Sequence, residues 1–230
     1  MIGSHLDGIE DGLSALSALR EKPAGTVRIT ATEHAARSVL WPAFEKLLPH
    51  YPEINLEIII SYGLTDIVAE QIDAGVRPGG IIDKNMIAVP IAQEMRMAVV
   101  GSPSYFADRD LPLVPQDLTG HSCINLRLPR HGGVYVWEFE KGSRELNVRV
   151  SGQLTFNLTS MILEAAIGGF GLAMLPEDQV INHLSKGRLV RVLKDWCEPY
   201  PGYHLYYPSR RQPTPAFSVL VNELRYRGET

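Results

Sequence analysis

Residues 25–60 read GTVRITATEHAARSVLWPAFEKLLPHYPEINLEIII, and this segment alone assigns a fold class. Apolar and polar residues alternate from Thr26 to Ala31, and an apolar run extends from Ile54 to Ile60, so both segments are predicted strands. Between them, apolar residues recur at helical spacing and predict a helix with one buried face: Leu40, Phe44, Leu47, Leu48 and Tyr51. This strand–helix–strand order predicts an α/β fold with a parallel sheet covered by helices.

The pattern continues along the chain as two lobes. Before residue 101 it predicts a short helix at 66–71, a strand ending at Arg77 and extended segments at 87–91 and 96–100. Gly101-Ser102-Pro103 then breaks the pattern and sets a lobe boundary. The second lobe is predicted to hold strands at 123–125, 135–139, 146–150, 153–155 and 171–175 and helices at 158–167 and from Pro176, before a strand at 203–207 and a helix at 215–226.

The composition is that of an ordinary globular protein, with 45% hydrophobic and 21% charged residues in a chain of 230. A formal net charge of -4, with no dense Lys/Arg stripe, argues against strong nucleic-acid binding by this chain itself. Cys123 and Cys197 match no metal-ligand spacing. They favour reduced structural thiols, with a disulfide as the alternative.

The N-terminal segment carries an apolar stripe that predicts a helix: Leu6, Ile9, Leu13, Leu16 and Leu19. Pro23 and Gly25 end this helix. Neither a signal-peptide pattern nor an apolar run of ~18 residues occurs, which predicts a cytoplasmic protein without membrane contact.

Enzyme motifs do not occur in the sequence: there is no GxSxG, GxxxxGK[ST], GxGxxG or HExxH pattern. Gly168-Gly169-Phe170-Gly171 follows a predicted helix and precedes a strand, which is the wrong order for a dinucleotide-binding turn and is typical of a helix C-cap. The sequence therefore predicts neither an enzyme nor a bound metal or cofactor.

Several short stretches together resemble the effector-binding domain of LysR-type transcriptional regulators, from about Leu6 to Arg227. These stretches are AGTVRI (24–29), YPEI (51–54), DAGVR (73–77), GSPSY (101–105), DLTGH (117–121), GGFG (168–171), LP (175–176) and GRLV (187–190). Two departures, at 61–64 and 78–80, weaken what the resemblance implies about the ligand.

The resemblance implies two Rossmann-like lobes joined by two crossover strands, similar to type 2 periplasmic binding proteins. The implied parts are the end of a linker and dimerisation helix at 1–22, lobe I at 25–100 and 206–230, lobe II at 101–205, and crossings near 97–101 and 205–208. A winged helix-turn-helix domain is expected before residue 1. The implied partners are a small effector, further copies in a homodimer or tetramer, and promoter DNA through that N-terminal domain alone.

The candidate site follows from a physical rule, because ligands of open α/β sheets bind beyond the carboxyl ends of the strands, near helix N-termini. The residues that follow or end the predicted strands are Thr32, Glu33, Ser61, Asn125, Arg127, Phe156 and Asn157. The resemblance places the same positions around an effector cleft between the lobes. The alternative interpretation makes Thr32 and Asn157 helix caps, Phe156 a core residue, Ser61 a loop residue and Arg127 a solvated surface charge.

Two rival functions share this fold. A solute-binding protein of a transport system needs a signal peptide and has no use for the helix at 6–21. An enzyme needs a reactive group in the cleft, and none of the patterns above supplies one. A regulatory domain that senses a small, anionic effector is therefore the preferred function.

Overall fold

The computed structural model describes residues 22–63, 66–79, 86–128, 133–209 and 212–228, so the predicted helix at 6–21 lies outside the described residues. The chain divides into two compact units. The first unit contains the described residues up to Gln93 and those from Gly202 onward, and the second unit is Glu94–Pro201. The chain therefore passes between the units twice.

The first unit contains five strands and two helical segments. The strands are β1 (Gly25–Ala31), β2 (Ile54–Ile60), β3 (Ala74–Pro78), β4 (Met86–Pro90) and β12 (Tyr203–Pro208). The helical segments are α1 (residues 33–50) and α5 (Pro215–Leu224).

The second unit contains seven strands and three helices. The strands are β5 (Met97–Gly101), β6 (Asn125–Leu126), β7 (Trp137–Lys141), β8 (Arg144–Val148), β9 (Thr155–Phe156), β10 (Ala173–Pro176) and β11 (Val190–Val192). The helices are α2 (Pro103–Phe106), α3 (Thr159–Ile167) and α4 (Glu177–Ser185), and 3-10 turns occur at Pro115–Gly120 and Lys194–Trp196.

The sheet of the first unit has the order β2-β1-β3-β12-β4. β1 runs parallel to β2, from Gly25 opposite Ile54 to Ala31 opposite Ile60, and parallel to β3 on its other side. β12 is antiparallel to both β3 and β4. The predicted parallel sheet is correct for the first three strands, but β12 enters from the far end of the sequence and makes the sheet mixed.

Helix α1 packs its apolar residues into the core, where Leu40 and Phe44 are fully buried with Val27 and Ile29 of β1. It begins as an α-helix, passes through one π-helical turn at Ala36–Leu40 and resumes as an α-helix at Trp41–Leu47. Pro42 lies in the first turn of that second α-helical part, where its missing N–H interrupts the regular bonding pattern.

The sheet of the second unit is built around β5, which is antiparallel to β10 on one side and to β11 on the other. β6 and β9 form a parallel pair, and a parallel bridge between Cys123 and Leu172 joins this pair to β10. The resulting order is β9-β6-β10-β5-β11. A hairpin of β7 and β8 packs Trp137 and Phe139 against one face.

Two expectations need correction, and one strand was not predicted. β5 was predicted in the first lobe, but it is the central strand of the second unit, so the units divide at 93/94 and 201/202 rather than at 100/101 and 205/206. The segment 66–71 forms only a hydrogen-bonded turn, which ends at Gln71 with a φ of +53°. The strand β11 was not predicted, because three residues are too few for a periodic signal.

Candidate functional site

The carboxyl ends of β1, β2 and β3 share one edge of the first unit's sheet, because the three strands are parallel. Thr32 follows β1 there and caps α1, since its Oγ1 accepts a hydrogen bond from the Ala35 N–H at 3.2 Å. Ser61 follows β2 and donates its N–H to the Ala31 carbonyl at 2.9 Å. Both predicted site residues therefore lie at this edge, and the N-terminus of α1 opens onto it.

A buried tyrosine completes the polar group around Thr32. The Tyr203 hydroxyl lies 3.3 Å from Thr32 Oγ1, which donates to it, and 3.0 Å from His34 Nδ1. His34 and Tyr203 are 3% and 5% exposed. The sequence did not predict Tyr203 as a site residue, because the rule considers only residues that follow strands, and Tyr203 begins one. Strand β12 is antiparallel to β3, with Tyr203 opposite Pro78, so its first residue lies where β3 ends.

Charged side chains at the same edge are held by neighbouring groups. Glu33, in the first turn of α1, is buried, and its carboxylate lies 3.6 Å from the Arg37 guanidinium one turn later. Arg77 of β3 is 1% exposed. Its Nη1 donates to the Val76 carbonyl at 2.6 Å and its Nη2 to the Gly63 carbonyl at 2.6 Å. These hydrogen bonds hold the Arg77 guanidinium near the end of β3.

The second unit has a corresponding edge, formed by the carboxyl ends of β6, β9 and β10. Asn125 lies in β6 and is 4% exposed. Its Nδ2 donates to the Cys123 carbonyl at 3.4 Å, whereas its buried Oδ1 has no hydrogen-bond partner among the described residues. Arg127 follows β6 with an exposed side chain, and its backbone N–H donates to the Phe156 carbonyl at 2.7 Å.

The alternative interpretation of Asn157, as the cap of α3, is wrong. The capping position is Leu158, whose side chain has no hydrogen-bond acceptor. Helix α3 therefore begins at Thr159, one residue later than a cap at Asn157 requires. Asn157 is exposed, and Phe156 is half-buried against an apolar cluster that includes Ile124 and Ile162. The sequence could not separate a cap from its neighbour, because both precede the helix.

Further polar groups that the sequence did not predict lie near the start of α3 and α4. Thr159 Oγ1 accepts from Gln179 Nε2 at 3.3 Å, and Gln179 Oε1 is a second buried acceptor without a partner in the described part of the chain. Glu177 forms an ion pair with Arg191, which also donates to the Met97 carbonyl at 3.2 Å. This edge therefore combines one neutralised ion pair with two unmatched carboxamide oxygens.

Reactive chemistry is not provided by the cysteines. Cys123 and Cys197 are buried free thiols. Burial raises the pKa of the Cys123 thiol to about 12 and that of the Cys197 thiol to about 11, so both stay protonated at neutral pH. Within the described ranges, no three His, Cys, Asp or Glu side chains are grouped as a metal site would require. The helices of those ranges include none long and apolar enough to span a membrane.

Comparison with known proteins identifies close relatives. The family model described as "LysR substrate binding domain" matches residues 20–229. A putative transcriptional regulator of Pseudomonas aeruginosa is 53% identical over 232 residues, covering 100% of this chain and 76% of its own length. The HTH-type transcriptional regulator PgrR of Escherichia coli is 46% identical, covering 99% of this chain and 76% of that protein.

Solved structures share the fold at low sequence identity. The full-length virulence activator AphB of Vibrio cholerae matches with a TM-score of 0.77 and 19% identity, covering 96% of this chain and 75% of that chain. The LysR-type regulator CrgA of Neisseria meningitidis matches with a TM-score of 0.72 and 22% identity, covering 96% and 76%. These matches confirm the predicted fold class, and the relatives are regulators rather than enzymes, as expected.

Proposed function

Because this chain belongs to the LysR substrate binding domain family and is the effector-binding domain of a LysR-type transcriptional regulator, we propose that it senses a small anionic molecule. The observation that carries this proposal is the edge of the first unit, where the N-terminus of α1 opens beside Thr32. Free N–H groups and the positive end of the helix dipole favour a carboxylate there. The buried Arg77 guanidinium lies near the end of β3 at the same edge.

The proposed binding place is the cleft between the units that the family resemblance implies. Its proposed residues are Thr32, Glu33 and Ser61 from the first unit and Asn125, Arg127, Phe156 and Asn157 from the second. Tyr203 and His34 join them, because their polar atoms meet Thr32 directly. Arg127 is the exposed cation of the second edge and is suited to a second anionic group.

Signal transfer requires that the effector bind two conformations of the protein with different affinities. A coupling of ~1–3 kcal/mol changes promoter occupancy several-fold. We propose that the chain acts in the cytoplasm as a homodimer or tetramer and that it controls a winged helix-turn-helix domain preceding it in the full-length regulator. The relatives are transcription regulators, which favours this function over a transport solute-binding protein.

A matched pair of cap variants tests the anion site. Thr32→Ala and Thr214→Ala each remove a threonine whose Oγ1 accepts a helix N-cap bond at 3.2 Å, from Ala35 in α1 and from Phe217 in α5. Each substitution should lower the free energy of unfolding by about 1 kcal/mol. Only Thr32→Ala should also weaken binding, since Thr214 lies outside the proposed site.

The measurement is a thermal-shift screen of the chain against small organic acids, aromatic acids and amino acids, followed by calorimetry on each acid that raises the melting temperature. A hit whose affinity falls in Thr32→Ala and holds in Thr214→Ala supports the proposal. A hit indifferent to both variants places the anion elsewhere, and the absence of any stabilising acid contradicts an anionic effector.

A further inference from the structure

A hydrogen-bonded relay within the first unit joins Thr32, Tyr203 and His34. Thr32 Oγ1 donates to the Tyr203 hydroxyl oxygen at 3.3 Å, and that hydroxyl lies 3.0 Å from His34 Nδ1. Thr32 Oγ1 also accepts the Ala35 N–H at 3.2 Å. Thr32 is partly exposed, whereas Tyr203 and His34 are buried. The relay therefore connects an accessible hydroxyl at the edge of the sheet to an imidazole in the interior of the same unit.

The direction of the relay depends on the protonation of His34. A tyrosine hydroxyl carries one proton and can accept another hydrogen bond. Because the Tyr203 oxygen accepts from Thr32, its own proton is available to His34 Nδ1, which accepts it when a neutral imidazole carries its proton on Nε2. The bonds of the neutral state thus run from Thr32 through Tyr203 to His34, and the Thr32 proton points inward.

Protonation of His34 reverses the relay. Both ring nitrogens of an imidazolium carry protons, so Nδ1 then donates to the Tyr203 oxygen. The Tyr203 proton turns instead to Thr32 Oγ1, across the same 3.3 Å. A threonine oxygen can accept two hydrogen bonds and donate one, so Thr32 keeps its cap bond from Ala35 while its own proton turns outward. A proton gained by the buried ring therefore creates an O–H donor at the accessible side of Thr32.

The charged groups around His34 come from three elements. Glu33 and Arg37 lie on α1 itself and form an ion pair at 3.6 Å. Arg77 lies near the end of β3 at the same edge, and Tyr203 is the titratable neighbour on β12. The residues that β1 and α5 bury beside α1 are apolar: Val27, Ile29, Ala31, Phe217, Leu220 and Leu224. Of these side chains, only the imidazole of His34 is of a type that changes charge between about pH 5 and pH 8.

We propose that His34 couples anion binding at Thr32 to pH, so that the effector binds more tightly as the pH falls and a proton is taken up with it. This inference rests on the proposed function, because it assumes that the anion binds at the N-terminus of α1. The positive end of the helix dipole disfavours an imidazolium in the first turn, and an anion beside Thr32 offsets this effect. The outward Thr32 proton gives the anion a further donor. The anion and the proton therefore strengthen each other's binding.

Calorimetry at about pH 8 and about pH 5.5, on either side of the ordinary histidine range, tests the coupling. The probes are acetate with methanesulfonate and benzoate with benzenesulfonate, because a sulfonate keeps its full charge at both pH values. Each probe that binds should do so about fivefold or more tightly at the lower pH, which is the range of a typical coupling between two sites. Repeating the titrations in buffers of different ionisation enthalpy should show that a proton is taken up on binding.

Two variants separate the charge of His34 from the relay. His34→Gln keeps a polar side chain that does not titrate, so the ratio of affinities at the two pH values should fall to near one. Tyr203→Phe removes the hydroxyl that joins Thr32 to His34 but leaves the imidazole, so the ratio should fall to a value between those of wild type and His34→Gln. This second variant also keeps the test valid if His34→Gln does not fold.

His204 provides the matched control. It follows Tyr203 on β12, so its side chain points to the opposite face of the sheet, and its Nδ1 lies 3.0 Å from the Gly202 carbonyl oxygen. His204→Gln should leave the affinity ratio at its wild-type value. A ratio that falls in His204→Gln and persists in His34→Gln assigns the coupling to the wrong histidine and overturns the inference.

Nitrogen NMR of the imidazoles in the ligand-free chain reads the relay directly, with the His34 signal assigned by its loss in His34→Gln. Nδ1 of His34 should be proton-free at about pH 8 and should gain a proton as the pH falls. Nδ1 of His204 should carry a proton throughout, because a carbonyl can only accept. A proton already on His34 Nδ1 at the higher pH means that the relay cannot reverse, and it overturns the inference.

The binding results separate this inference from the proposed function. Equal affinities at the two pH values for every probe that binds overturn the role of His34 and leave the anion site standing. If no carboxylate or sulfonate binds at either pH, the anion site itself fails and the inference fails with it.

Discussion

The two units contain sheets with the same arrangement of strands, but the strands are connected differently in each unit. In each unit three parallel strands are followed by one antiparallel strand and a fifth outer strand, in the orders β2-β1-β3-β12-β4 and β9-β6-β10-β5-β11. In the first unit, α1 connects the parallel strands β1 and β2, and a turn at 66–71 connects β2 to β3. In the second unit, the β7–β8 hairpin connects the parallel strands β6 and β9, and α3 connects β9 to β10.

This difference in connections produces two chemically different edges. The helix N-terminus follows β1 in the first unit and carries a threonine cap, but it follows β9 in the second unit and has no capping side chain. The same sheet order therefore supplies the geometry of both edges, while the connections decide which polar groups each edge presents. The following variants test this comparison.

The largest effect is expected where each sheet needs a glycine. A Cβ on Gly171 would lie 2.5 Å from the Ser122 carbonyl oxygen, and a Cβ on Gly75 would lie 2.2 Å from the Tyr206 ring. Gly171→Ala should lower the free energy of unfolding by about 3 kcal/mol and Gly75→Ala by about 2 kcal/mol, because a ring can shift more easily than a paired backbone.

Urea denaturation of the purified variants measures both values. Gly120→Ala is the control, since no atom lies within 4 Å of the added Cβ, and it should change stability by less than about 0.5 kcal/mol. If Gly75→Ala proves more costly than Gly171→Ala, the backbone approach in the second unit is the softer of the two contacts.

A smaller effect should distinguish the two edge arginines. Arg77 is fully buried and donates to several backbone carbonyls, whereas Arg191 pairs with Glu177 and keeps a side-chain exposure of 13%. Arg77→Met should cost about 3 kcal/mol, because it leaves buried carbonyls without donors, and Arg191→Met about 1–2 kcal/mol.

Chemical denaturation again gives the free energies, and calorimetry with a bound acid gives the affinities. Arg77→Met should also weaken the binding of a carboxylate, because it removes a positive charge from the first edge. An unchanged affinity would mean that the helix N-terminus alone holds the anion.

The sequence predicted most of the strands but not which unit each strand belongs to. Alternation from Thr26 to Ala31 identified β1 correctly, since one face of that strand is buried. The extended segment predicted at 96–100 is β5, but its sequence could not assign β5 to a unit, because the partners of a strand are not encoded in its own pattern. Tyr203 was missed for the same reason, since its position depends on the antiparallel direction of β12.

The sequence could predict the candidate site only through the ends of its strands. The rule placed Thr32 and Ser61 at one edge correctly, because both follow parallel strands. It also selected Asn125, but the unmatched Oδ1 depends on the orientation of the carboxamide, whose Nδ2 donates to the Cys123 carbonyl. Such a deficit arises from three-dimensional neighbours and has no signature in the sequence.

The smallest effect concerns pH and the second unit. The backbone N–H groups of Val114 and Leu113 donate to the Asp117 carboxylate and hold its pKa below the ordinary value of 3.8. Because the pKa is lower in the folded chain than in the unfolded chain, this contribution is present above pH 3.8 and is lost as the pH falls through the folded pKa. Asp117→Asn should therefore flatten the dependence of stability on pH below about 4.

The measurement is urea denaturation of the wild type and Asp117→Asn between pH 6 and pH 2. Asp195, whose pKa is lowered mainly by its hydrogen bond with Lys141, is the matched comparison, since its partner is a mobile ammonium rather than a fixed backbone turn. The stability difference between wild type and Asp195→Asn should shrink when salt is added, because salt screens the exposed ion pair of the wild type. The difference between wild type and Asp117→Asn should depend less on salt, because salt disrupts bonds within a local turn less. If salt changes both stability differences equally, the turn at Leu113–Asp117 stabilises the second unit through net charge rather than through its hydrogen bonds.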